Sequence, residues 1–237
     1  MTPRQLTAED CKAMVGTWAR AARNAVAAGF DTIEIHAAHG YLLASFLSPV
    51  SNTRNDEYGG DRAGRMRLLL QITEAVRAEM PATMPLFVRV SSVDGTQEGW
   101  NMDDTVVLAR ELKARGVDVI DCSSGGIAGA ATAAQVPRSL GFQVPFAERV
   151  RREAGIPTMA VGIILEAQQA EAVLHHRKLR APLQRALEHH GLPACGFAQQ
   201  GAEIPASSEA VGDLACVDIV RHVGAGRGIG PLAAPGL

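Results

Sequence analysis

Glu34-Ile35-His36-Ala37-Ala38-His39-Gly40-Tyr41 brings a carboxylate, two imidazoles and a phenol into eight consecutive residues. A neutral imidazole donates at one ring nitrogen and accepts at the other, a phenol does both, and an ionised carboxylate only accepts. Groups of these types, gathered at one place, can polarise a carbonyl oxygen, deliver a proton or ligate a metal. A metal at His36-x-x-His39 needs a third ligand, and no acidic or histidine residue stands nearby at good ligand spacing. On residue types alone, two structural histidines remain the default. The stretch closes an apolar run, Phe30 to Ile35. In a strand, successive side chains face opposite ways, so Ile33 and Ile35 share one face while Glu34 and His36 share the other. That is the pattern of a strand with one aliphatic side and one side ending in chemistry.

The flanking elements would have to aim that end. Thr7-Ala8-Glu9-Asp10 predicts a capping box. Behind it, Cys11, Met14, Val15, Trp18, Ala22, Ala25 and Val26 follow helical spacing up to Gly29. After the histidines comes a long polar loop, Ser48 to Gly64, whose Arg54, Asp56 and Tyr58 are expected to hold it by side-chain bonds to the backbone. A helix carrying Met66, Leu69, Ile72 and Val76 follows, then a strand over Leu86–Ser91. A helix over Met102–Arg115 stops at Gly116, and a third strand, Val117–Ser123, opens into Ser124-Gly125-Gly126. A helix over Phe146–Ala154, a strand over Thr158–Val161 and a helix over Leu165–Leu174 complete the pattern.

Strands alternating with helices predict a parallel sheet covered by helices, an α/β fold. The polar positions Glu34 and His36, Arg89 and Ser91, and Asp121 and Ser123 recur on one register and gather at strand C-terminal ends. A (β/α)8 barrel collects its chemistry there. A doubly wound sheet also places ligands at strand C-termini, but the shared inner register favours a partial TIM barrel of about four β/α units. Residues 1–174 form this segment; residues 175–237 are expected to be an irregular tail in which only Val217–Val220 looks strand-like. Four units leave two parallel edges unpaired.

The net formal charge is −2, so there is no nucleic-acid footprint. Cys11, Cys122, Cys195 and Cys216 show no CxxC spacing and suit free thiols in a reducing compartment. No signal-peptide h-region or bilayer-spanning run is visible, and a cytoplasmic, non-membrane protein is expected. The Gly224–Gly230 run lacks the GxGxxG spacing of a nucleotide loop and reads as a tail.

From about Pro3 to Leu174 the chain resembles the old yellow enzyme family, its NADH:flavin oxidoreductase or NADPH dehydrogenase branch. The resemblance rests on Glu34–Leu42, Phe46-Leu47-Ser48-Pro49, Asn52–Gly60, Leu86–Ser91, Val119–Gly125 and Ala160-Val161-Gly162, in that order and spacing. It implies a (β/α)8 barrel with FMN over its C-terminal mouth, of which this chain carries strands four to seven. It implies NADPH or NADH as hydride donor and a small α,β-unsaturated carbonyl compound as substrate, the ene-reductase reaction. His36 and His39 match the donors to the carbonyl oxygen, and Tyr41 the proton donor. Arg89 matches the cation beside the flavin ring, Gly162 a backbone approach to the FMN phosphate, and Ser124, with Ser123, the lining of the mouth. The family's Gly-Arg phosphate contact would follow Leu174, where the chain reads His175-His176-Arg177-Lys178.

Two other readings compete. A non-catalytic barrel remnant would pair its open edges with another copy as a homo-oligomer. A metal-dependent barrel enzyme would use His36 and His39 as ligands.

Overall fold

The computed structural model describes residues 4–127, 136–174 and 217–218. In chain order the elements are α1 (Ala8–Ala27), β1 (Ile33–Ala37), α2 (Leu42–Leu47), α3 (Arg62–Glu79), β2 (Leu86–Ser91), α4 (Met102–Ala114), β3 (Val119–Ser123), α5 (Val144–Ala154), β4 (Thr158–Ala160), α6 (Ala167–Leu174) and β5 (Val217–Asp218).

The helix ends follow from local chemistry. Thr7 Oγ1 accepts the Asp10 N–H at 3.1 Å, and Asp10 Oδ2 accepts the Thr7 N–H at 2.8 Å. This is the reciprocal box that the sequence predicts. α1 stops at Gly29, whose φ of 78° suits a residue without Cβ. Gly29 N donates to Val26 O at 3.0 Å and Phe30 N to Ala25 O at 3.2 Å, so the last carbonyls are satisfied as the chain turns into β1. The same device joins α4 to β3. Gly116 has φ 81°, with Gly116 N bonded to Lys113 O and Val117 N to Leu112 O, both at 3.1 Å.

The sheet runs in the order β4-β3-β2-β1-β5, and β1 to β4 are parallel. The register sorts the side chains into rows. Ile35, Val88, Ile120 and Thr158 align across four strands, as do Ala37, Val90, Cys122 and Ala160. These rows face the helices; apart from Thr158 and Ala160 on the edge strand, they are fully buried. The alternate rows are Glu34–Phe87–Val119 and His36–Arg89–Asp121–Met159, with Ser91–Ser123 at the C-terminal end. This two-sided, layered sheet is four consecutive units of a (β/α)8 barrel, with the polar rows on the barrel's inner side.

Four features differ from the sequence expectation. α2 is a six-residue helix that periodicity does not announce. It has no side-chain cap, and it forms because Leu43, Ala44, Phe46 and Leu47 are buried, against α3 among others. α5 begins at Val144, two residues before Phe146, with Pro145 in its first turn, where the missing N–H costs nothing. α6 begins at Ala167 rather than Leu165, after a turn in which Ile163 has φ 54°. The outer edge of β1 is paired: β5 lies antiparallel on it, matching Glu34 with Asp218 and Ile35 with Val217. Of the two parallel edges expected to be open, that of β1 is therefore paired, while β4 has β3 as its one neighbour among the described residues. Apart from β5, the expected tail lies outside the described residues, as do the pairs His175-His176 and His189-His190 and the run Gly224–Gly230.

Candidate active site

β1 delivers His36 on its inner face, and the turn after it brings His39 and Tyr41 back over the strand end. The His36 and His39 ring centroids are 5.1 Å apart, and those of His36 and Tyr41 5.5 Å apart. The three rings therefore form one cluster. Its exposure is graded: His36 is 9% exposed and Tyr41 61%. The phenol stands at the open rim and the His36 imidazole innermost.

His39 adopts φ 60°, a left-handed backbone that costs a non-glycine residue roughly 1–3 kcal/mol and persists only where surroundings impose it. Those surroundings are specific. His39 N donates to Ser91 Oγ at 2.8 Å, and the same hydroxyl donates to Gly125 O at 2.7 Å. His39 Nε2 lies 2.6 Å from Ser123 Oγ. A Cβ on Gly126 would stand 2.0 Å from the His39 carbonyl carbon, and one on Gly40 2.5 Å from Gly126 O. The turn after β1 thus lies backbone-on-backbone against the turn after β3, with Ser91 of β2 clasped between them. Only glycines permit that approach.

Behind the rings, Arg89 pairs in register with His36 on one side and Asp121 on the other. Arg89 Nε is 3.2 Å from Asp121 Oδ2, with side-chain exposures of 29% and 2%. Asp121, on the neighbouring strand, is thus a carboxylate partner of Arg89. Burial pushes the Asp121 carboxyl above its ordinary range, and the guanidinium opposes that rise. Cys122 lies in the core as a free thiol, and burial pushes that thiol up to about 12, so it stays protonated and inert.

Ser124 and Gly162 sit on the β4 side of the mouth and meet through a residue that sequence reasoning missed. Gln143, 5% exposed at the start of α5, donates from Nε2 to Ser124 Oγ at 2.7 Å and reaches Ser123 Oγ at 3.4 Å. Gly162 has φ 100°, and a Cβ there would meet Gln143 Oε1 at 2.8 Å and the Phe142 ring at 2.9 Å. The protein's own side chains fill that space, so close packing already demands a glycine. The following turn is laced by Gln169, which donates to Ile163 O and accepts from Leu165 N, both at 2.9 Å. Nothing in the sequence marks Gln143, which stands 19 residues beyond Ser124 and outside any motif.

A second missed group joins two loops near the strand ends. Asp94, in the loop after β2, accepts from Ser48 Oγ at 2.5 Å and from Trp100 N at 2.7 Å. It ties the end of α2 to the β2 loop, and burial raises its carboxyl above the usual range. The Asn52–Gly60 loop is held as expected. Arg54 grips Asp56 with two bonds and reaches Leu6 O at 2.6 Å, while Asn52 Nδ2 donates to Phe46 O and Tyr58 O.

A sequence model described as the NADH:flavin oxidoreductase / NADH oxidase family matches residues 1–180. The chain belongs to this family. An NADPH dehydrogenase of Geobacillus thermodenitrificans (strain NG80-2) is 48% identical over 175 residues, covering 74% of this chain and 50% of the relative. One of Bacillus velezensis is 45% identical over 177 residues, covering 75% and 51%. The chain spans about half the length of the curated relatives it matches. Among solved structures, a 2-naphthoyl-CoA reductase complex with 2-naphthoyl-CoA aligns with a TM-score of 0.65 at 26% identity, covering 72% of this chain and 26% of that one. Morphinone reductase in complex with tetrahydroNAD aligns at 0.59 and 26% identity, covering 73% and 44%. Membership of this family confirms the resemblance to old yellow enzymes and the barrel fold read from the sequence.

Among the described residues no three His, Cys, Asp or Glu side chains gather as a metal-binding group, and no helix is long and apolar enough to cross a membrane.

Proposed function

We propose that this chain carries the substrate-binding half of an FMN-dependent, NAD(P)H-consuming ene-reductase site acting on small α,β-unsaturated carbonyl compounds. The observation that carries this reading is the in-register pairing of His36 with Arg89, beneath the ring cluster of His36, His39 and Tyr41. It sets ring donors and one cation side by side at the inner ends of adjacent strands.

The residues suit an FMN ring. Arg89 engages Asp121 through Nε and is partly exposed on the inner face, so its terminal nitrogens can meet an electron-rich ring edge. FMN, when bound, would accept hydride from NADPH or NADH and pass it to the alkene. His36 and His39 donate N–H groups to the substrate carbonyl oxygen, where negative charge grows as the β-carbon is reduced. One such donor is worth about 3 kcal/mol of barrier. Tyr41, at the exposed rim, supplies the α-carbon proton from its hydroxyl and is reprotonated from water. Ser123 and Ser124 line the mouth. Gly162 bends the turn after β4, where a barrel of this kind holds phosphate.

The test is direct. Full-length protein incubated with FMN and dialysed should retain flavin near one equivalent and turn yellow, and Arg89→Ala should lower that retention. A folded protein that returns colourless from dialysis overturns the reading. Cytoplasmic residence and pairing with a second copy through β4 belong to the same proposal.

A further inference from the structure

His39 has two nitrogens, and its role as a donor depends on which one carries the proton. Its Nε2 is 2.6 Å from Ser123 Oγ, a buried hydroxyl. A hydroxyl has one proton and two lone pairs. The second polar side-chain group at Ser123 Oγ is the Gln143 amide nitrogen, at 3.4 Å, the same nitrogen that bonds Ser124 Oγ at 2.7 Å. An amide NH2 only donates. Gln143 Nε2 donates to Ser124 Oγ and stands 3.4 Å from Ser123 Oγ, which takes up one lone pair of Ser123 and favours its proton on the 2.6 Å contact to His39 Nε2. The other end of the amide, Oε1, lies toward the Cα of Gly162, where an added Cβ would stand 2.8 Å away.

We propose that Gln143 is a positioning residue that acts through Ser123 to hold neutral His39 in the tautomer protonated at Nδ1. The inference rests on the proposed role of His39, since it says which nitrogen of that ring has an N–H to offer a ligand oxygen. It links two strand ends and a helix start, because Ser123 ends β3, His39 follows β1 and Gln143 caps α5. The left-handed backbone of His39 gains a purpose: clamped by Ser91 and Gly126, it brings Nε2 within reach of Ser123.

The experiment uses the full-length, flavin-free chain labelled with 15N-histidine, at a pH where imidazole is neutral. Long-range proton–nitrogen correlation spectra report the protonation of each ring nitrogen, and His39→Ala assigns the signal among the seven histidines. The wild-type His39 should show a protonated Nδ1 and a bare Nε2. Ser123→Ala should shift the tautomer ratio toward Nε2–H by about tenfold, the worth of one buried hydrogen bond. Gln143→Ala should move it the same way, and Ser123→Thr should restore it. A wild-type ring protonated at Nε2 overturns the proposal without recourse to any variant, and so does a Ser123→Ala protein with an unchanged ratio. Because no flavin or nicotinamide is present, a protein that fails to retain FMN still gives a clear answer on the tautomer.

Discussion

The two faces of the sheet are built on opposite rules. On the outer face, Ile33, Ile35, Leu86, Val88, Val90 and Ile120 lie at or near zero exposure beneath α1, α3, α4 and α5. On the inner face, Glu34, His36, Arg89, Asp121 and Ser123 alternate with Phe87 and Met159, and the row ends in a methionine 37% exposed. The outer face stabilises by excluding water from apolar area. The inner face sets charges and donors against that stability, because each buried polar group must find a partner or cost free energy. A barrel concentrates its chemistry on the face that contributes least to its core.

The sharpest break of this contrast lies on the outer side. Ile120→Ala should cost about 2–5 kcal/mol in urea unfolding, since a buried side chain leaves a cavity among packed neighbours. A loss under about 1 kcal/mol would mean that the helix layer is not closely packed over β3.

A smaller effect is expected inside. Arg89→Met should cost about 1–3 kcal/mol at neutral pH, because it leaves the Asp121 carboxylate buried without its cation. The cost depends on pH. Asp121 already sits above its ordinary value of 3.8, so the folded state binds that proton more tightly than the unfolded chain, and stability falls as pH rises through the raised range. Without Arg89 the carboxyl rises further. The gap between variant and wild type should therefore widen from pH 4 to pH 7 in thermal unfolding; a constant gap would show that Arg89 acts by packing alone.

The least effect belongs to the open end of the inner row. Met159→Ala on β4 should change stability by no more than about 0.5 kcal/mol, as a half-open side chain has little to lose. A loss of 2 kcal/mol in the same unfolding assay would mean that another surface covers β4 in solution, a second copy included.

The same contrast explains what the sequence makes legible. The outer face and the longer helices follow from periodicity, and the Thr7, Gly29 and Gly116 punctuation places the ends of α1 and the end of α4 to within a residue or two. The inner face has no period of its own beyond the strand alternation. His36, His39, Tyr41 and Arg89 emerge because their spacing matches a family, and the structure gathers the three rings beside the Arg89 register. The Arg89–Asp121 pair needs the strand register, which no single strand specifies. Gln143 and the Asp94–Ser48 bond join residues far apart in the chain, and neither glutamine nor serine advertises its partner. α2 is invisible because six residues carry too few turns for a helical period to show.

The central claim is that His36 and His39 together hold a ligand's electron-rich oxygen while Arg89 faces the flavin. Titration of the FMN-loaded protein with a simple phenol tests it most directly, comparing wild type with the His36→Ala, His39→Ala double variant. The account predicts phenol affinity reduced by at least about 100-fold, the loss of two donor bonds to a charged oxygen, with flavin content nearly unchanged. Loss of flavin with phenol affinity retained would contradict it.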